Sequence, residues 1–187
     1  TPTRSPMIFT KGPLPDTYLI DPDKKRDDRG FFARAFCERE FAEHGLAQQM
    51  VQTNVSFNAQ RGTLRGLHFQ RAPHREAKLV RCTRGGLYDV VVDVRPASPA
   101  YGEWMGVELS ADTHRMLYVP EGFAHGFLTL EADTEVMYQV SSFYTPGAEG
   151  GLRHDDPALA IDWPAAVQVL SEKDRAWPAF QPRTAAE

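Results

Sequence analysis

The sequence predicts an all-β fold, a sandwich, jelly roll or barrel with a few short helices. Three observations point there. Short runs rich in Val, Tyr, Phe and Thr alternate with turn clusters containing Gly, Pro, Asn or Asp. Only two stretches carry helix start or stop signals. Hydrophobic residues make up 42% of the 187 and charged residues 25%, which supplies a sizeable core and excludes a disordered chain. No period of 20–50 residues repeats and no low-complexity block divides the chain, so residues 1–187 read as one domain. Thr1–Pro6 precede Met7 and are set aside as flank, and from about residue 165 onward a short helical extension and tail are expected.

The strands expected in order are Thr17–Ile20, Phe31–Phe36, Met50–Asn58, Leu64–Phe69, Ala77–Arg84, Gly86–Arg95, Glu103–Leu109, Arg115–Val119, Ala124–Leu130 and Thr134–Ser142. Glu38–Gly45 reads as a helix stopped by Gly45, and a second short helix begins at Ser171. Side chains alternate faces along a strand, so parity sorts them. Tyr88, Val90, Val92 and Val94 form one apolar face. Tyr138 and Tyr144 share a face if their strand runs on to 144. Along Met50–Asn58, Gln52, Asn54, Ser56 and Asn58 oppose Val51, Thr53, Val55 and Phe57. Parity alone favours a surface strand whose amide face meets water, over one whose amides line a cavity.

Composition narrows the function classes. The longest apolar run is only a few residues, so no transmembrane helix is expected, and the start carries no secretory leader pattern. A net charge of −4 argues against nucleic acid as a partner. Cys37 and Cys82 are too few for a disulfide framework or a four-thiolate zinc site, and a reducing, cytoplasmic setting is expected.

Few residues stand out chemically. In Gly62–Gln70, alternation sends Arg65 and His68 to opposite faces unless Gly66 hosts a bulge that turns both to one side. Taken alone, Arg65 reads as solvated and His68 as a core histidine. A Pro-Glu-Gly turn feeds the strand carrying His125, again an ordinary structural setting. Ser171 and Asp174 have capping-box spacing, which explains Asp174 structurally. A metal-binding jelly roll usually offers His-x-His. Here the residue two after His68 is Gln70, and Pro73 puts His74 and Glu76 in a turn, so no metal site is expected.

Together, Gly62–Gln70, Lys78–Gly85, Tyr88–Arg95, Val119–Phe127, and Asp155-Asp-Pro157 with Ile161-Asp-Trp-Pro164 resemble the dTDP-4-dehydrorhamnose 3,5-epimerase family, collinearly from about Met7 to Pro178. The resemblance implies a cupin jelly roll, a homodimer formed partly by N-terminal strands, a nucleotide-sugar substrate, and a reaction without metal or cofactor. It assigns His68 as catalytic base, Asp174 as its paired carboxylate and Tyr138 as the acid on the opposite face. Lys78 falls beside the sugar. Arg29, Gln52, Asn54, Arg65, His125 and Tyr144 match substrate-contacting positions, and Glu149 and Lys173 match weaker ones. The residue types suit the chemistry. A C4 ketone acidifies C3–H and C5–H, and inversion needs a base on one face, an acid on the other and a group to hold the enolate, for which Lys78 is well suited. No Gly-rich dinucleotide fingerprint is present. One position departs: where the family typically has a nucleotide-binding Glu, this chain has Arg34, which donates where a carboxylate accepts. That position is expected at the nucleotide end of the pocket or in a subunit contact. Rival readings are a single-carbon epimerase, a ketoisomerase, a metal-dependent cupin oxygenase and a non-catalytic sugar-binding jelly roll.

Overall fold

The computed structural model describes residues 6–182. Its elements are β1 (Ile8–Lys11), β2 (Tyr18–Asp21), β3 (Lys25–Asp27), β4 (Gly30–Phe32), α1 (Glu38–Glu43), β5 (Gln52–Asn58), β6 (Thr63–Gln70), β7 (Lys78–Arg84), β8 (Gly86–Asp93), β9 (Trp104–Ser110), β10 (Met116–Val119), β11 (Phe123–Thr129), β12 (Thr134–Val140), β13 (Glu149–Gly151), β14 (Val169–Leu170) and α2 (Glu172–Arg175). One sheet has the order β1-β2-β10-β7-β12-β5 and the other β13-β6-β11-β8-β9, with β14 parallel to β6. Every other pairing is antiparallel, and the two sheets form the cupin-type jelly roll.

Three apolar layers hold it together. Val80, Leu87, Val91, Leu117, Phe127 and Val136 fill the space between the sheets. Alternate residues of the same strands feed outer layers. Ile20, Leu79 and Met116 meet Phe41 of α1, while Val90, Val92 and Leu67 lie under Leu152, Leu159 and Phe180 of the C-terminal segment. Strand β8 is thus buried on both faces. The apolar face read at Tyr88–Val94 is the outer one, and the inner face carries Asp89.

Several boundaries differ from the sequence reading. The expected strand Phe31–Phe36 ends at Phe32, where its pairing with β3 stops, because their hairpin stands apart from both sheets. Phe36 turns inward against Phe41, with ring centroids 4.8 Å apart. Strand β12 ends at Val140, so Tyr144 lies on the following loop and not on the strand of Tyr138. β1, β3, β13 and β14 are two to four residues long and carry no alternation of their own; their neighbours recruit them. Helix α1 stops as read, with Gly45 in the left-handed region at φ +70°.

Candidate active site

The site begins with an extra residue. His125 pairs with His68 and Phe127 with Arg65, so β6 spends three steps where β11 spends two. That bulge reverses the parity and brings Arg65 and His68 onto one cavity wall. It requires glycine. Gly66 has φ +128°, and a Cβ there would stand 2.5 Å from Gly126 Cα.

The bulge also frees the Gly66 N–H to reach Asp174 Oδ2 at 3.1 Å. His68 Nε2 lies 2.5 Å from Asp174 Oδ1, which also accepts from the Trp177 indole at 3.1 Å. Asp174 is 4% exposed. Burial alone would raise its carboxyl, but the bond and charge of His68, then the Gly66 N–H and the indole, hold it below the usual range. An ionised Asp174 accepts Nε2–H, which leaves the lone pair of a neutral His68 on Nδ1. Meanwhile the Asp174 backbone N–H donates to Ser171 Oγ at 3.1 Å, so the helix cap and the histidine contact coexist in one residue.

Opposite β6, the inward positions of β12 and β7 supply Tyr138 and Lys78. Burial first, then Glu76, pushes the Tyr138 phenol upward, with Arg65 opposing, so it stays protonated at neutral pH. Lys78 is 7% exposed, and its ammonium lies 3.5 Å from Glu76. From β11, His125 Nε2 meets Asp89 Oδ1 at 2.6 Å, while Asp89 Oδ2 is buried with no hydrogen-bond partner among the described residues.

These walls enclose two adjoining lobes that share His68, Lys78 and Tyr138. One, about 370 Å³, adds Arg65, His125, Ser56 and Phe127. The other, about 220 Å³, adds Gln52, Asn54, Gln70, Glu76, Tyr144 and Glu149. The cations of the first lobe suit an anionic group, and the amides of the second suit sugar hydroxyls. The surface reading of the amide face is therefore reversed: Gln52, Asn54 and Ser56 point inward, while Val55 and Phe57 are 62% and 49% exposed.

Three of the sequence-derived positions lie off this wall. Arg29 sits on the β3–β4 turn, ion-paired with Asp27 and 89% exposed at its side chain. Lys173 reaches the cavity only through Glu149, at 2.6 Å. Arg34 binds Glu40 of α1 at 2.6 Å, and the other oxygen of Glu40 accepts the Met7 N–H, so Glu40 ties the N-terminal segment to the helix and Arg34 braces Glu40. Tyr144 lines the second lobe from its loop, its backbone N–H held by Gln52 Oε1 at 2.9 Å. Sequence reasoning missed Glu76 as a wall residue. Its i, i+2 spacing to Lys78 was the available signal. Asn58, which accepts from Arg65 Nε at 2.7 Å, gave no signal beyond its parity.

Among the described residues no group of three or more His, Cys, Asp or Glu gathers as a metal site, and no helix is long and apolar enough to cross a membrane. Cys37 and Cys82 are free thiols.

The family model described as dTDP-4-dehydrorhamnose 3,5-epimerase matches residues 11–182. A protein of that name from Sinorhizobium fredii is 48% identical over 175 residues, 93% of this chain and 90% of its own. The crystal structure of a Bacillus anthracis dTDP-4-dehydrorhamnose 3,5-epimerase with TDP and PPi bound matches with a TM-score of 0.90 at 43% identity, covering 94% of this chain and 100% of that one. ChmJ, a 3′-monoepimerase from Streptomyces bikiniensis in complex with dTDP-quinovose, matches with a TM-score of 0.82 at 33% identity, covering 89% and 85%. Family model, relatives and fold agree over nearly the whole length: the chain belongs to the dTDP-4-dehydrorhamnose 3,5-epimerase family.

Proposed function

We propose that this epimerase inverts C3 and C5 of a dTDP-linked 4-keto-6-deoxyhexose, with His68 as base and Tyr138 as acid. Family membership makes it an isomerase of deoxysugar biosynthesis; the substrate and the roles of the residues are our reading. One observation carries it. His68, backed by Asp174, and Tyr138 come from opposite sheets yet wall the same cavity, so a sugar ring between them meets a base on one face and an acid on the other.

His68 Nδ1 takes the proton alpha to the C4 carbonyl, and Asp174 stabilises the imidazolium. The electron pair moves onto the C4 oxygen, where the Lys78 ammonium meets the growing charge. Tyr138 then delivers a proton from the other face. Arg65 extends the cationic wall with His125 beside it, and the exposed Tyr144 ring with the Glu149–Lys173 pair rims the second lobe. A homodimer fits the exposed Phe32, Val55 and Phe57. A cytoplasmic setting fits free thiols and a nucleotide-linked substrate.

Incubation with dTDP-4-keto-6-deoxyglucose in heavy water tests the reaction. Deuterium at both C3 and C5, with inversion at both, is the expected result. Label at C3 alone would make the protein a monoepimerase. His68→Ala should abolish exchange at both carbons, whereas Tyr138→Phe should keep exchange and lose inversion, because the proton returns to the face it left. Exchange that survives in His68→Ala would overturn the assignment of the base.

A further inference from the structure

Glu76 stands just before β7, two residues ahead of Lys78, so strand alternation puts both side chains on the inward face. The two are nearly buried, with side chains 13% and 9% exposed. Glu76 Oε2 accepts from Gln70 Nε2 at 3.2 Å, and the same amide group is fixed by the carbonyl oxygens of His74 and Phe143. Gln70 is 5% exposed and its Oε1 accepts the Thr145 N–H at 2.8 Å. The carboxylate is thus braced on one side and faces Lys78 on the other. Lys78 in turn belongs to both lobes, where they join.

We propose that Glu76 is a positioning residue of the reaction, acting through Lys78: its carboxylate anchors the ammonium at the junction of the two lobes, where the C4 oxygen gains charge. This rests on the functional reading above. An ammonium so little hydrated and left without a partner would swing toward water, and the oxyanion would lose its cation. A second consequence falls on Tyr138. The other charged groups facing that phenol are Arg65 of β6, which opposes the effect of Glu76, and Glu149 of β13, which adds to it but is paired with Lys173. His68 and Lys78 share the cavity walls with them. Removing the Glu76 charge therefore makes the phenol easier to ionise.

Glu76→Gln is the test, since it keeps the shape and leaves a side-chain oxygen for the Gln70 amide. Thermal unfolding identifies any loss of fold. The expected result is a drop of roughly tenfold in kcat with KM within about threefold. With it, the alkaline limb of the kcat/KM profile and the 13Cζ titration of Tyr138 in the free enzyme both move to lower pH. A folded variant with an unmoved titration, an unmoved limb and kcat within twofold overturns the proposal, whatever the enzyme's substrate. Absence of solvent exchange in the unaltered protein is a separate result: it overturns the epimerase reading, and with it a role for Glu76 in that reaction.

Discussion

Asp174 does two jobs that a single substitution separates. Its backbone N–H caps α2 through Ser171, and its carboxylate orients His68. Asp174→Asn leaves the cap in place but presents an amide that no longer stabilises the imidazolium. We expect kcat to fall by roughly 10²-fold or more, as when the carboxylate of a catalytic triad is amidated, while the helix stays folded by circular dichroism. A fall of less than threefold would remove Asp174 from the catalytic set. The carboxylate also links stability to pH. Its folded-state value is depressed, so its contribution is present above the ordinary unfolded carboxylate value, about 4, and is lost as pH falls through the folded value. Asp93 behaves alike: burial works to raise it, but Arg95 and the Ser98 hydroxyl outweigh burial. Urea unfolding between pH 7 and 3 should show stability falling toward the acid end, with a shallower slope in Asp174→Asn. An unchanged slope would mean that other carboxylates govern the acid limb.

At the scale of the element, the bulge in β6 decides whether there is a site at all. Without the extra residue Arg65 and His68 would face opposite ways, and the Gly66 N–H would not turn to Asp174. Both glycines at the crossing of β6 and β11 are needed, since a Cβ on Gly126 would meet Arg65 O at 2.7 Å. Gly66→Ala adds steric overlap to a backbone conformation that L-residues rarely adopt. We expect it to cost roughly 2–4 kcal/mol in urea unfolding and to reduce exchange activity in whatever fraction still folds. A loss under about 0.5 kcal/mol would show that the strands can re-register around a side chain there.

For the whole molecule, the open question on the surface is the outer face of β5. Val51, Val55 and Phe57 are exposed on a sheet edge, and Phe31 and Phe32 are exposed on the separate hairpin. Apolar area of that kind on an unpaired edge is a hazard unless something covers it. A second copy is the occupant we propose. Light scattering should then give twice the chain mass at micromolar concentration, and Phe57→Glu should shift the population toward monomer. A monomer in the unaltered protein would count against the dimer.

Much was readable from the chain because local chemistry dictates it. Turn residues and short β-rich runs determined the all-β class, Gly45 determined where α1 ends, and motif order from Gly62 to Pro164 pointed to the family that the comparisons show. Ser171 and Asp174 marked the start of α2 through side-chain-to-backbone spacing alone. Other features depended on which surface met which. Parity divided β5 correctly into amide and apolar faces, but parity has no sign. Only the packing of β5 beside β12 sent the amides inward and left Val55 and Phe57 outside. The pairing of His68 with Asp174, 106 residues apart, and the placing of Glu76 and Tyr138 around one lobe have no local signal. Such placements follow from sheet order and the bulge: Gly66 marked where a bulge could form, but only the pairing of β6 with β11 in the closed fold made it.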